Sequence, residues 1–186
     1  MSGASAVLVA LGDRGAGTIP HPGGSLLDHL VRTEAMLRSW NASEDLALAG
    51  LCHAAYGTYG FDRPLLTLEE RPALCALIGE KAETLVYLYA SCDRDSVYPQ
   101  LGRGAAVWFR DRFELTTTEL ASTSLTEFVE LTFANELDIV RHNSGTSRVG
   151  PHLAELFRRC RGLVTASAYD AFEALIDCEV QATGPR

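Results

Sequence analysis

LLDHLVRTEAMLRSW (residues 26–40) followed by NASEDLALAGLCHAA (residues 41–55) decides the fold class of this 186-residue chain. In the first stretch Leu26, Leu30, Met36, Leu37 and Trp40 recur at helical spacing, while Arg32, Glu34 and Arg38 fall elsewhere on the wheel. One amphipathic helix is predicted, entered through Ser25 as its cap. In the second stretch Asn41 breaks the pattern, and Ser43 with Glu44 and Asp45 marks a new N-terminus. Leu46 to Ala55 is apolar almost all round, which predicts a central helix.

Working outward, Gly12 to Gly24 carries five glycines and two prolines, so residues 1–24 read as an irregular lead-in. Tyr56 to Pro64 reads as a loop. Thr67 and Glu70 form a capping box for a short helix ending near Gly79, and another helix follows from Glu80 to about Cys92. A short β-hairpin is expected near 105–116. Ser124 with Glu127 starts a helix running to about His142, and helices at about His152–Arg161 and Thr165–Gln181 complete the chain. The fold class is mostly α, one helical domain over 25–182.

Sixteen basic and 24 acidic side chains give a formal charge of −8, which disfavours nucleic acid and anionic membranes as partners. The arginines at 158, 159 and 161 read as a solvated face. The apolar run Ala6–Leu11 is too short to span a bilayer or act as a signal core, so a soluble, cytoplasmic protein is expected. Five cysteines without a CxxC spacing read as reduced, packed thiols.

His29 falls on the core-facing stripe of the first helix, beside Leu26, Thr33, Met36 and Trp40. His53 ends the apolar second helix. Asp93 lies four residues beyond Tyr89 and seven beyond Val86, on the apolar face of its helix. A buried carboxylate costs several kcal/mol unless it is paired or binds a metal, and two buried imidazoles are natural partners.

The run from His29 to Leu-Ala-Leu-Ala-Gly-Leu-Cys-His53, with Ala90-Ser91-Cys92-Asp93-Arg94 further on, resembles the HD-domain superfamily of helical metal-dependent phosphohydrolases over roughly residues 20–95. The chain also resembles an uncharacterised bacterial HD-like family sharing the His-Pro-Gly-Gly start at His21 and the His-Ala-Ala-Tyr-Gly-Thr core at His53. The resemblance implies an HD-like bundle in which His29, His53 and Asp93 hold a divalent ion. Where the superfamily has Asp after the second His, this chain has Ala54, so a dinuclear centre lacks its bridging residue. Two imidazoles and one carboxylate suit zinc, manganese or iron.

Around this triad, His21 is expected as an extra ligand or an acid/base group. Tyr56 and Thr58 offer catalytic hydroxyls, and Arg94, Asn135 and Glu136 are expected to bind substrate. Cys52 and Cys92 flank the expected ligands but read as packing residues, and His142 and His152 read as exposed. Three functions fit: a metal-dependent hydrolase-type enzyme for a small molecule, a non-haem iron oxygenase using the same triad, and a metal-free acid/base enzyme or inactive ligand- or protein-binding domain. A homodimer is compatible with each.

Overall fold

The computed structural model describes residues 3–143 and 149–183. In chain order these form α1 (Gly3–Asp13), a 3-10 turn (Ala16–Thr18), β1 (Pro20–His21), β2 (Gly24–Ser25), α2 (Leu26–Ser39), α3 (Glu44–Cys52), α4 (Arg71–Ile78) and α5 (Glu80–Ser91). Then follow α6 (Arg94–Val97), a 3-10 turn (Tyr98–Gln100), β3 (Trp108–Arg110), β4 (Thr117–Glu119), α7 (Ser122–His142), α8 (Pro151–Arg159) and α9 (Ala166–Thr183). The mostly helical class is therefore observed, with two small antiparallel hairpins, β1–β2 and β3–β4. No described helix is long and apolar enough to cross a membrane.

The caps work as their chemistry demands. Ser25 Oγ accepts from Asp28 N while Asp28 Oδ2 accepts from Ser25 N, a reciprocal box opening α2. Ser43 Oγ accepts from Leu46 N at the start of α3, and Thr67 with Glu70 closes a box ahead of α4. The hairpin expected near 105–116 has its first strand there, but Trp108–Arg110 pairs with Thr117–Glu119 across a wider turn. α7 begins at Ser122, before Ser124, so Ser124 lies inside the helix and caps nothing.

The expected irregular lead-in is corrected by α1. Val7 and Leu11, four residues apart, are 0% and 3% exposed, so the apolar run packs one face inward against α4. Tertiary burial of this face holds the segment as a helix; the glycines act only beyond Gly12.

α2, α3, α5 and α7 form the central bundle, with α3 packed against each of the other three. Leu30, Leu37, Leu51, Val86, Phe128 and Leu131 are at most 1% exposed between them, each contributing about 1.5–3 kcal/mol by burial. Phe133 of α7 stacks on Phe157 of α8 at 3.8 Å between ring centroids, and Phe172 of α9 meets Phe157 at 5.2 Å, which fastens the C-terminal helices behind α7.

The approach of α2 to α3 depends on Gly50. A Cβ there would stand 2.4 Å from Leu37 Cδ1, and Leu37 is fully buried. Gly50→Ala is expected to cost about 1–3 kcal/mol by overpacking. A denaturant titration checks this as a lowered midpoint with unchanged slope.

Candidate functional site

Because α2 and α3 lie so close, His29 and His53 face each other, and both are 1% exposed. Their Nε2 atoms are 3.2 Å apart and the rings meet edge to face. His53 Nδ1 lies 2.8 Å from the Gly50 carbonyl, to which it donates, so its Nε2 carries the lone pair. His29 Nδ1 donates to Asp138 Oδ2 at 2.7 Å, and its Nε2 also lies 3.1 Å from Asn135 Oδ1.

Asp138, on α7, is 1% exposed and is the buried anion of the site. Arg32, one turn beyond His29 on α2, grips it through Nε at 2.7 Å and Nη2 at 2.9 Å, and His142 Nδ1 stands 3.1 Å from Oδ1. Burial alone would raise the Asp138 pKa; the hydrogen bonds and charges of His29 and Arg32 outweigh it and bring it down to about 2. His53 is pushed down to about 3 by burial and by the neighbouring His29, so it is neutral near pH 7. The ionised Asp138 thus accepts from His29 Nδ1, and the His53 lone pair faces His29 Nε2.

The His-Pro-Gly-Gly segment now has a physical role. β1 and β2 turn tightly, with Gly23 at φ +79° where a Cβ would meet the His142 side chain at 2.7 Å. Arg32 donates to the Pro22 and Gly23 carbonyls, tying that turn to Asp138. The turn lays His21 on His29 at 4.1 Å between ring centroids, and burial with the His29 charge lowers the His21 pKa to about 4.

His21, His29, His53 and Asn135 line a cavity of about 230 Å³ that also takes in Thr58, Phe61, Arg94 and Glu136. His21, His29, His53, Thr58, Arg94, Asn135 and Glu136, all expected at a site from the sequence, thus converge on one space. Arg94 Nη1 pairs with Glu136 at 3.0 Å and Nη2 donates to Tyr89 OH at 3.0 Å.

Two expected site residues lie elsewhere. Asp93 is only partly buried, and Oδ1 accepts from Ser96 N as the cap of α6. The wheel that placed it beside Tyr89 fails because α5 ends at Ser91, where Cys92 turns extended and bridges to Asp111. Tyr56 points to the other side of α3 and donates to Glu83 Oε1 at 2.9 Å. Arg71 holds the same Glu83 through Nε at 2.7 Å, making a structural tie between α3, α4 and α5. Asp93→Ala is accordingly expected to cost about 1 kcal/mol as a lost cap, with the His29 and His53 imidazole resonances unmoved. Burial pushes the Cys52 and Cys92 thiols up to about 12, in keeping with packing roles.

Asp138, Arg32 and His142 were missed, although a signal existed. Asn135, Asp138 and His142 stand at i, i+3 and i+7 on a helix otherwise rich in Leu, Phe and Val, a polar stripe aimed inward. Residues 10–94 match the model of a domain of unknown function (DUF6817). The DUF6817 match spans just under half of the chain. It contains His21, His29, His53, Thr58 and Arg94, and it stops short of α7, which brings Asn135, Glu136 and Asp138. No curated protein and no solved structure matches the chain.

As for a metal, among the described residues no three His, Cys, Asp or Glu side chains converge as a ligand set. The His pair itself fits one. Two nitrogens 3.2 Å apart suit donors sharing one ion at about 2.0–2.1 Å each. Each imidazole also has its other nitrogen tied to a carboxylate or a backbone carbonyl, the usual support of a ligating histidine. Asn135 Oδ1, 3.1 Å from His29 Nε2, stands beside them as a neutral third donor.

Proposed function

We propose that this chain is a metal-dependent enzyme for a small molecule, with a divalent ion such as zinc, manganese or iron held by His29, His53 and Asn135. The supporting observation is the opposed Nε2 pair with both Nδ1 atoms anchored, which is also where the resemblance to HD-like proteins points. A divalent ion in that position supplies Lewis-acid chemistry, polarising a carbonyl or phosphoryl oxygen. Asp138 acts through His29, fixing its ring and raising its donor strength, and Arg32 fixes Asp138. Arg94 and Thr58 offer donors to substrate oxygens across the cavity, and His21, on the open side of His29, is placed to carry a proton.

A second reading has its own support. Asp138, His29 and His53 form a hydrogen-bonded chain that moves a proton without any metal, as an acid/base pair would. The missing carboxylate ligand favours it.

Elemental analysis of protein prepared without chelators or nickel resin separates the two. The metal reading expects near-stoichiometric metal in the wild type and in Asp93→Asn, and trace amounts in His53→Ala. Iron with substrate-dependent oxygen consumption would make the enzyme an oxygenase; zinc or manganese favours hydrolytic chemistry. Trace metal in the wild type, with no activity gained on adding any, leaves the acid/base chain.

A further inference from the structure

The histidine cavity, at about 230 Å³, is smaller than the space a bound metabolite fills, commonly about 300–1,000 Å³. Beside it lies a cleft of about 660 Å³ between α6, the Tyr98–Gln100 turn and α8. Tyr59 and Arg94 line both spaces, so the two share a wall. That wall is held from above, where Tyr59 OH donates to Asp95 Oδ2, and from within, where Arg94 is fixed by Glu136 and Tyr89.

The cleft's chemistry runs against that of the whole molecule. In a chain of formal charge −8 it gathers Arg94, Arg103 and Arg159 against one carboxylate, Asp95, which is already engaged by Tyr59. Among the described residues neither Arg103 nor Arg159 pairs with a carboxylate. Arg103 Nε donates to the Pro99 carbonyl at 2.6 Å, and Arg159 donates to the Leu101 and Tyr98 carbonyls at 3.3 and 3.2 Å. Those backbone contacts set the guanidinium planes and leave N–H groups free for an oxyanion. Tyr98, Leu153 and Leu156 add apolar surface to the same lining.

We propose that this cleft is the outer half of the binding site, taking an oxyanion with an apolar body: Arg103 and Arg159 hold the anion, Tyr98 and Leu156 the body. The reacting end then lies toward His21 and His29. That last point rests on reading the histidine pair as the reactive centre; anion binding in the cleft does not.

The test is calorimetric titration of the full chain with 1-naphthyl phosphate and, as the uncharged counterpart, 1-naphthol. The phosphate is expected to saturate and to bind roughly tenfold or more tighter than the naphthol, as two charge-assisted contacts warrant. Arg103→Gln, an exposed position, is expected to weaken the phosphate about tenfold at unchanged melting temperature. Arg159→Gln should do the same where it folds. The titration is made on metal-free protein and reads binding alone, so failure of the metal or acid/base reading leaves this result standing. In the wild type the His21 ring-proton resonances should shift along the same binding curve. Absence of saturable binding, equal affinity for naphthol, or wild-type affinity in Arg103→Gln would overturn the cleft as an anion site. Saturation with no shift at His21 would overturn its place beside the histidine pair.

Discussion

Replacing Asp138 with Ala is expected to destabilise the protein by about 3–5 kcal/mol, the usual result of stripping the partner from a buried charge. The carboxylate is 1% exposed and accepts from His29 and twice from Arg32. Its loss leaves the Arg32 guanidinium, 25% exposed, and the buried His29 Nδ1 without their partner. In a domain of this size the melting temperature should fall by about 10 °C. Asp138→Asn keeps the shape and is expected to lose less stability. It should still weaken any bound metal by about 10–100-fold, because His29 loses the anion that orients it. Calorimetry on both variants, with metal content measured alongside, checks the pair of effects. A melting temperature within a degree or so of wild type in Asp138→Ala would show that the buried cluster does not stabilise the fold.

Acidification of the metal-free protein gives the second large effect. His53 has its pKa lowered from 6.5 to about 3 in the folded state, chiefly by burial. An unfolded chain therefore binds a proton at this residue below about pH 6.5 that the folded chain refuses until about pH 3, and stability falls as pH drops across that interval. The slope contributed is about 1.4 kcal/mol per pH unit. Asp138 adds loss in the same direction but lower down, because its pKa moves from 3.8 to about 2; its stabilisation is complete above about pH 4 and disappears as pH falls through 2. Denaturant midpoints measured from pH 7 to 4 should decline in the wild type. His53→Gln, which cannot titrate, should roughly halve the decline, the rest coming from His21 with its pKa lowered to about 4, and an equally steep slope in that variant would refute the assignment to His53.

The pattern of residues 26–55 carried the fold because periodicity and caps act locally. Ser25, Ser43 and Thr67 each cap where the spacing of their neighbours requires. The same local logic placed His29 and His53 on inward faces, and both proved 1% exposed. It failed at Asp93, where a helical wheel was extended across Ser91. The end of α5 is set by the bridge of Cys92 to Asp111, a contact nineteen residues away that no window around Asp93 contains. It failed in the same way at Tyr56, whose direction depends on Glu83 and Arg71 in other helices.

By itself, then, the sequence determined a mostly helical chain and the inward-facing positions of the two histidines. Which carboxylate serves His29 was decided only by the packing of α7 onto α2, since Asp138 lies 109 residues away along the chain. The separation of the two imidazoles was likewise decided by tertiary structure, by how closely α2 and α3 approach over Gly50. The physical reason is one of range: caps and amphipathic periodicity are written within a few residues, whereas the partner of a buried charge is whatever group the folded core brings against it.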